Sequence, residues 1–282
     1  MISVIYLNYN RNEDLKRSLS KIFLQKDADF EVIVMDQNSA DGSQEMIKQN
    51  FQSVRLFELT ENLGVAGGRN YGAAVARGKH LVFIDDDAEF VNKDALQKIE
   101  LVFNWNKTIN IIAFNVNGHP ERPEKYLFFS NTKDHFTNKY IGCGHAIRKE
   151  VFDHLGGYTK ELFFWGEEIE FAIKSFSIPK NKILFKGDLI LYHRVSQVSR
   201  LKWKEGRLFY KVRNRLALSY ILLPFPISWF YIIFYTNVYL IRAIQIGDLT
   251  SYFKALREFR KVQIDSTNKL DFRQWFTYFK DN

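Results

Sequence analysis

The chain has 282 residues, enough for one large domain or a domain with an appendage, and its hydrophobic content of 46% can fill a sizeable core. The single cysteine, Cys143, excludes an intrachain disulfide and fits a reducing compartment. The sequence opens with MISVIYLNYN, where no basic segment precedes an apolar one, so we predict no signal peptide.

The net charge of +8 is divided unevenly along the chain. Residues 1–193 carry 24 Lys and Arg against 26 Asp and Glu, whereas residues 194–282 carry 16 against 6. We therefore predict one domain over 1–195 and a basic, helical region over 196–282. A basic region can face nucleic acid or an anionic membrane. Because this region also contains the most apolar part of the chain, we expect a membrane partner and no nucleic acid.

Short apolar runs alternate with amphipathic stretches through the first half of the chain. The runs predict strands, and apolar residues at helical spacing predict helices between them. The predicted strands cover 2–8, 31–36, 54–59, 81–85 and 111–116, and the predicted helices cover 12–25, 43–50, 65–77 and 92–105. This alternation indicates an α/β fold with a mostly parallel sheet flanked by helices. A polar loop is predicted over 117–140, followed by a strand, a helix and a glycine-rich turn over 141–158.

Polar side chains follow three of the predicted strands at their carboxyl ends. Asn8 ends the first strand, Asp36 ends the second, and the triplet of Asp85, Asp86 and Asp87 ends the fourth. Ligands of open parallel sheets bind beyond the carboxyl ends of the strands. We therefore expect these side chains to open onto one crevice.

The three adjacent carboxylates repel one another unless something compensates their charge. At a strand end, Asp85 and Asp87 can converge on one point. Carboxylate oxygens suit Mg²⁺ or Mn²⁺, and such a cation would remove the repulsion. An Asp-rich turn that caps a helix is the alternative for an isolated DDD. The position at a strand end favours the metal site.

Residues 61–72, ENLGVAGGRNYG, contain four glycines at the start of a small-residue helix. Glycines let a backbone approach a ligand closely, and a helix N-terminus attracts phosphate. Arg69 adds a planar cation to this segment. Close packing of the helix on the sheet would explain the glycines equally well, so both interpretations stay open.

Five segments, taken together and in this order, resemble glycosyltransferase family 2, the nucleotide-sugar transferases with the GT-A fold. The segments are VIYLNYNR (4–11), VIVMDQNSADGS (32–43), ENLGVAGGRNYG (61–72), LVFIDDD (81–87) and FFWGEEIEFAIK (163–174). The chain is similar to bacterial polysaccharide-building members, such as rhamnosyltransferase-like proteins. The resemblance implies a Rossmann-like GT-A sheet and an inverting transfer of a sugar.

The resemblance also implies which residues bind the donor. Asp36 corresponds to the residue that accepts a hydrogen bond from the pyrimidine base. Arg69 and Asn70 correspond to the segment beside the base and ribose, and Asp85 corresponds to the first acidic residue of the family's DxD motif. The predicted donor-binding residues are Asn8, Asp36, Arg69, Asn70, Asp85 and Asp86.

The predicted metal ligands are Asp85, Asp87 and His193. The resemblance makes Asp87 the direct ligand of the DxD motif and Asp85 the residue near the ribose and the metal. His193 resembles a C-terminal histidine that completes the metal site in some members. Without the resemblance, His193 would be read as a hydrogen-bonded histidine at a strand end.

The segment FFWGEEIEF resembles the family's motif for the general base. Glu168 matches the position of the base, with Glu in place of the more frequent Asp, and Glu167 is the competing candidate. The same acidic residues would also stabilise a helix N-terminus, which is compatible with catalysis. The resemblance assigns Trp165 and His145 to the acceptor side, although a single aromatic residue is more often part of a core.

The C-terminal region contains 26 residues without a charged side chain, 216–241, which is long enough to span a bilayer. Pro224 and Pro226 split this segment, aromatic residues cluster within it, and basic residues flank both ends. We therefore predict an interfacial or re-entrant helical hairpin attracted to anionic lipid. A buried helix of a soluble domain and a dimer interface are the alternatives, so a homo-oligomer stays open.

The resemblance to family 2, together with these observations, implies a metal-dependent, inverting glycosyltransferase with a UDP- or dTDP-sugar donor and Mg²⁺ or Mn²⁺ as cofactor. The expected acceptor is a hydroxyl of a lipid-linked glycan in bacterial cell-surface polysaccharide synthesis. We expect a cytoplasmic protein attached peripherally to the inner face of the membrane. A sugar-nucleotide nucleotidyltransferase is one alternative, although ISVIYLNYNRNEDLK contains no rich phosphate-binding loop. A non-catalytic, membrane-attached scaffold that retains the fold is the other.

Overall fold

A computed structural model describes residues 1–120, 132–194, 204–264 and 269–280. Part of the loop predicted over 117–140, residues 121–131, and the start of the predicted C-terminal region lie outside the described residues. The described residues divide into two compact units. The first unit takes its residues from Met1–Leu63, Gly67–Gly157 and Lys180–Ser196, and the second from Gly64–Ala66, Tyr158–Pro179 and Gln197–Asn282. Residues 158–179, upstream of the boundary predicted near residue 195, thus cluster with the C-terminal helices.

The first unit is built on one mixed sheet. Its strands in the described part of the chain are β1 (Ile2–Asn8), β2 (Phe30–Asp36), β3 (Arg55–Glu58), β4 (His80–Asp85), β5 (Ala88–Phe90), β6 (Ile109–Gly118), β7 (His135–Thr137), β8 (Gly144–Arg148) and β9 (Lys182–His193). Their order is β3-β2-β1-β4-β8-β6-β9-β5, and β7 pairs with β9. The first four strands in this order are parallel. Strand β8 runs antiparallel to both β4 and β6, which makes the sheet mixed.

The parallel half of the sheet aligns the polar strand ends. Strand β1 is buried along its whole length, and β2 and β4 are buried along most of theirs, as their continuous apolar sequences predict. The register sets Asn8 beside Asp36 and Leu7 beside Asp85. The carboxyl ends of these strands therefore lie at one edge of the sheet.

Helices connect the strands of this sheet and complete its core. They are α1 (Asn12–Ile22), α2 (Ser43–Asn50), α3 (Gly64–Val75), α4 (Ala95–Trp105) and α5 (Lys149–His154). Helix α1 buries Leu15, Leu19 and Ile22, the apolar positions whose spacing predicts it. One hydrophobic cluster joins these residues to β1, β2, β4 and β6.

The second unit is helical in its described residues. It contains α6 (Glu167–Ser175), α7 (Lys204–Leu222), α8 (Ile227–Ile246), α9 (Leu249–Glu258) and α10 (Phe272–Lys280), with single 3₁₀ turns at Lys160–Leu162 and Phe259–Lys261. Its core includes the fully buried side chains of Val212, Leu216, Ala243 and Ala255. The break between α7 and α8 contains Pro224 and Pro226, the two prolines expected to split the uncharged segment.

Helix α8 is the apolar helix of the second unit. In the described residues it alone is both long and apolar enough to cross a membrane, with a mean hydropathy of 1.3 over its best window. Only 11% of that window is buried within the protein. This low burial distinguishes α8 from the mostly buried core helix of a soluble domain.

Candidate active site

Asp85, Asp87 and His193 come together at the sheet edge of the first unit. One ligand atom from each residue lies within 4.8 Å of the other two. Pairing of β5 with β9 aligns Ala88 with His193, and this alignment brings the histidine to the turn that follows β4. The Nε2 atom of His193 lies 3.0 Å from Oδ1 of Asp87. Residues more than a hundred positions apart thus form one compact group of metal-ligand atoms.

Arg11 compensates the negative charge of the aspartate triplet. Its Nη1 atom lies 2.6 Å from Oδ1 of Asp86 and 2.8 Å from Oδ2 of Asp87. Arg69 adds a second cation, with Nη2 at 2.8 Å from Oδ1 of Asp85. Each of the three carboxylates therefore has a guanidinium partner, and Asp86, for which the sequence indicates no specific contact, binds Arg11.

Burial dominates the electrostatics of this group. It raises the pKa of the Asp86 carboxyl, against the opposing effect of Arg11, while the neighbouring aspartates add to the rise. At His193, burial lowers the pKa, but the proximity of Cys143 and Asp87 outweighs burial and raises it well above the usual range. The site thus concentrates charge in a poorly solvated position, which is typical of functional sites.

The donor set suits a divalent cation. Two carboxylates and one imidazole match the oxygen and nitrogen ligands of Mn²⁺, and the carboxylates match those of Mg²⁺. Asp87 and His193 are each largely buried, whereas Asp85 is half-buried and faces solvent in part. Such cations usually keep further positions for water and phosphate oxygens. Asp85, Asp87 and His193 are therefore the residues that could hold the ion.

Helix α3 carries Arg69 into the site and packs closely on the sheet. Arg69 is 2% exposed, and its Nη2 also donates to the carbonyl of Gly142 at 2.6 Å. A Cβ atom at Gly72 would lie 2.5 Å from Cγ2 of Ile5. The glycine at position 68 is similarly close to Leu7 of β1. Close helix–sheet packing therefore accounts for these two glycines, while Asn70, the next predicted residue, is half-buried.

Asn8 and Asp36 form a buried polar pair at the ends of β1 and β2. Asn8 Nδ2 donates to Asp36 Oδ2 at 2.6 Å, and both residues are fully buried. Asp36 Oδ1 accepts from the backbone N–H of Ser39 and from the side chain of Gln44. The Oδ1 atom of Asn8 is buried and has no hydrogen-bond partner within the described residues. An unmatched acceptor of this kind costs free energy unless a ligand N–H or O–H meets it.

His145 lies inside the sheet rather than at its edge. It is fully buried on β8, with its ring centroid 5.2 Å from that of Phe83 and 4.5 Å from that of Tyr140. Burial, followed by the nearby charge of Arg69, lowers its pKa well below the usual range. The ring is therefore neutral and packed among aromatic residues, and its acceptor-side role stays a prediction.

The second unit contains the predicted general base. Glu167 and Glu170 are buried at 3% and 0% exposure, whereas Glu168 is partly exposed. Glu170 forms an ion pair with Lys174 and accepts a hydrogen bond from Thr159 Oγ1 at 2.8 Å. Glu168 Oε2 accepts from the backbone N–H of Gly166 at 3.1 Å. Of the three glutamates on the first turn of α6, Glu168 is the one with solvent access.

The loop before Glu168 adopts an uncommon backbone conformation. Phe163, Trp165 and Gly166 have positive φ angles of 56°, 71° and 97°. Positive φ costs about 1 kcal/mol or more for a residue with a side chain, so the loop needs external support. The left-handed glycine at 166 then begins helix α6.

Asn214 of α7 provides that support. Its Nδ2 atom donates to the carbonyls of Leu162, Phe164 and Trp165 at 2.8, 3.0 and 2.7 Å. The Nη2 atom of Arg213 donates to the carbonyl of Glu161 at 2.6 Å and also reaches Leu162. The sequence prediction does not include Asn214, because Arg207 and Lys211 lie on the same helix face and a further polar residue there is not distinctive.

The predicted site residues therefore fall into both units. The first unit contains Asn8, Asp36, Arg69, Asn70, Asp85, Asp86, Asp87, His145 and His193, and the second contains Trp165, Glu167 and Glu168. Arg11 is part of the motif VIYLNYNR, but no sequence pattern assigns it a role. Its partners lie 75 and 76 positions away in sequence, and no local pattern reveals such a contact.

Comparison with known proteins identifies the sequence pattern. The model of the family described as "Glycosyl transferase family 2" matches residues 3–156, more than half of the chain. An uncharacterized glycosyltransferase of Haemophilus influenzae is 29% identical over 192 residues, which cover 64% of this chain and 63% of that protein.

A second relative is named for its donor and its lipid-linked acceptor. The UDP-Glc:alpha-D-GlcNAc-diphosphoundecaprenol beta-1,3-glucosyltransferase WfgD of Escherichia coli is 31% identical over 151 residues, covering 51% of this chain and 58% of WfgD. The chain thus spans about three fifths of the length of these two relatives.

A solved structure supports the fold. The mannosyltransferase PcManGT from Pyrobaculum calidifontis, in complex with GDP-Man and Mn²⁺, is similar at a TM-score of 0.64 and 18% identity. The match covers 98% of this chain and 83% of PcManGT. At this identity the likeness confirms the predicted α/β GT-A fold, and only the fold.

Proposed function

The chain belongs to glycosyl transferase family 2, and from this membership we propose that it transfers a sugar from a UDP- or dTDP-sugar to a lipid-linked glycan. The transfer inverts the anomeric carbon and contributes to bacterial cell-surface polysaccharide synthesis. Asp85, Asp87 and His193 hold the divalent cation, and Glu168 removes a proton from the acceptor hydroxyl.

The observation that carries the proposal is the convergence of Asp85, Asp87 and His193 within 4.8 Å. When bound, a divalent cation supplies positive charge that stabilises a leaving nucleotide diphosphate. Arg11 holds the buried Asp87 in position through a 2.8 Å ion pair. The structurally similar PcManGT was solved with Mn²⁺, which is consistent with this assignment.

We assign recognition of the pyrimidine base to Asp36 and Asn8. A carboxylate can accept about four hydrogen bonds, and Asp36 accepts from Asn8, Ser39 and Gln44, so capacity for one more remains. The buried Oδ1 of Asn8 is a further acceptor. Both atoms suit an N–H group of the base, and Arg69 and Asn70 lie on the helix that follows β3.

Glu168 is preferred to Glu167 as the general base because a base must reach its substrate. Glu168 is partly exposed, and its carboxylate stays near the first turn of α6 through the N–H of Gly166. Glu167 is only 3% exposed, so Glu168 offers the more accessible carboxylate of the two. The acceptor hydroxyl therefore transfers its proton to Glu168 as the oxygen attacks the anomeric carbon.

The exposed apolar side chains of the second unit support a lipid-linked acceptor. Helix α8 exposes Phe230, Phe234 and Ile241 at 69%, 59% and 59%. Large exposed apolar patches mark protein or membrane contacts. The name of WfgD describes an acceptor sugar carried on diphosphoundecaprenol. We therefore propose peripheral attachment at the cytoplasmic face of the membrane, where the basic residues of 194–282 meet anionic lipid.

The test of the proposed reaction is a panel of UDP- and dTDP-sugars supplied with a synthetic sugar-diphosphate-lipid and Mn²⁺ or Mg²⁺. A transferase releases nucleotide diphosphate together with a glycosylated lipid. A nucleotidyltransferase instead releases inorganic pyrophosphate from a nucleoside triphosphate, and a scaffold releases neither. Absence of nucleotide diphosphate for every donor in the panel would refute the proposal.

The test of membrane attachment is flotation with vesicles of phosphatidylglycerol and, separately, of phosphatidylcholine. Phe234→Ser combined with Ile241→Ser should lower binding to the anionic vesicles. The matched control is Leu101→Ser in the first unit, where the side chain is also 60% exposed. Equal flotation of the α8 variant and the wild type would exclude this helix as the membrane contact.

A further inference from the structure

A cavity of about 870 Å³ lies within the second unit. Helix α7 contributes Arg207 and Lys211 to its lining, α8 contributes Tyr239 and Arg242, and the loop before α6 contributes Trp165. Asp248, Thr250 and Ser251, at the start of α9, also line it. A cavity of this size accommodates a drug-sized ligand.

The charged side chains in the cavity lining are mostly basic. Arg207, Lys211 and Arg242 line it, whereas Asp248 is the acidic residue among the lining side chains. Asp248 caps helix α9, and its Oδ1 accepts from the backbone N–H of Ser251 at 3.1 Å. Three cations against one carboxylate favour a ligand with more than one negative charge.

Apolar surface adjoins this basic cavity on the same helix. Arg242 directly follows Ile241, and successive residues turn by about 100° around an α-helix. Ile246, which lines the cavity, is itself 47% exposed, and Phe234 and Ile241 are exposed on the same helix. A ligand with an anionic group and an apolar chain can occupy both surfaces at once.

We propose that this cavity binds the diphosphate of the lipid-linked acceptor, with the lipid chain along the exposed face of α8. The inference rests on the proposed function, because that function supplies the class of acceptor. Trp165 places the cavity near the proposed general base. It lines the cavity and lies three residues before Glu168, in the loop whose carbonyls bind Asn214. The diphosphate site thus anchors the acceptor beside the loop that carries the base.

Two probes distinguish a site for free diphosphate from a site for a diphosphate that carries a lipid chain. Calorimetric titrations of the full chain use inorganic pyrophosphate and farnesyl diphosphate, both in excess EDTA so that metal-assisted binding at the aspartates does not contribute. Farnesyl diphosphate should bind at least tenfold more tightly than pyrophosphate, because its chain also covers apolar surface. Equal affinity for the two probes would overturn the lipid part of the proposal.

Matched double variants test the location of the site. Lys211→Gln with Arg242→Gln should weaken binding of both probes by about tenfold for each cation removed. Both side chains are exposed, so the fold should tolerate the change. The control is Arg257→Gln with Lys261→Gln, which removes the same charge from exposed positions outside the cavity lining. Equal weakening by both double variants, or by neither, would overturn the assignment.

Failure of this inference can be told apart from failure of the proposed function. Release of nucleotide diphosphate, without binding of farnesyl diphosphate that depends on Lys211 and Arg242, would refute the cavity site and leave the transferase intact. Binding at the cavity without any transfer in the donor panel would refute the proposed reaction and leave the diphosphate site standing.

Discussion

Substitution of Asn214 by Ala tests whether helix α7 positions the general base. Asn214 is fully buried, and its Nδ2 atom bonds the carbonyls of Leu162, Phe164 and Trp165. The carbonyl of Leu162 still accepts a hydrogen bond from Arg213 in the variant, so only the carbonyls of Phe164 and Trp165 lose their donor. A buried polar group left unsatisfied costs about 1–3 kcal/mol. Because Phe164 and Trp165 are partly exposed, water offsets some of this cost, and we expect a loss of about 2 kcal/mol in unfolding free energy.

The effect on the activation barrier should be about as large as the effect on stability. Without Asn214, the positive φ angles of Phe163 and Trp165 lose their support, and the loop can relax toward lower-energy backbone. A displacement of about 1 Å at a reacting group costs about 100-fold in rate. We therefore expect kcat to fall by about 10- to 100-fold, while KM for the nucleotide-sugar stays within about threefold.

Steady-state kinetics with saturating acceptor and thermal unfolding measure the two effects on the same preparations. The matched control is Asn237→Ala on α8, since Asn237 is exposed and bonds only the carbonyl of Ile233 within its own helix. A stability loss in Asn214→Ala with unchanged kcat would refute a positioning role and leave Asn214 as a packing residue of the second unit.

Three further substitutions separate binding, catalysis and charge compensation. Asp87→Ala should abolish Mn²⁺-dependent UDP binding measured by calorimetry, whereas Asp153→Ala, at an exposed position, should retain it. Glu168→Gln should keep UDP binding and lose transfer by about 100-fold or more, and Glu167→Gln should lose far less; the reverse order would move the base to Glu167. Arg11→Gln should destabilise the protein by about 3 kcal/mol, because it leaves buried carboxylates uncompensated, and Mn²⁺ should raise its Tm more than that of the wild type. Equal Tm gains in the variant and the wild type would contradict the claim that Arg11 and Mn²⁺ compensate the charge of the same carboxylates.

The sheet edge was predictable because its pattern is local. Continuous apolar runs ending in Asn8, Asp36 and Asp85 already specify buried strands with polar ends, and parallel strands bring such ends together. The antiparallel direction of β8 could not be predicted, because the sequence of a five-residue strand does not indicate its direction. The resemblance to family 2 depended on motif order rather than on periodicity.

Long-range contacts were the part that periodicity could not supply. Arg11 meets Asp86 across 75 positions, and His193 reaches Asp87 only because β9 pairs with β5. For Gly68 and Gly72, only the structure showed close packing on the sheet, where a Cβ would lie 2.9 Å from Leu7 and 2.5 Å from Ile5. Asn214 was missed because its partners are backbone carbonyls 49–52 positions away, and a sequence pattern does not reveal such contacts.

The most direct test of the central claim is metal-dependent transfer of a radiolabelled sugar into a lipid-extractable product. Purified protein, each UDP- or dTDP-sugar of the panel and a synthetic sugar-diphosphate-lipid are incubated with Mn²⁺ or Mg²⁺, then with EDTA, and then with the cation restored. We predict that one donor labels the lipid fraction, that EDTA abolishes the labelling, and that the cation restores it. Label that stays in the aqueous phase for every donor, or that enters the lipid equally in EDTA, would contradict the account.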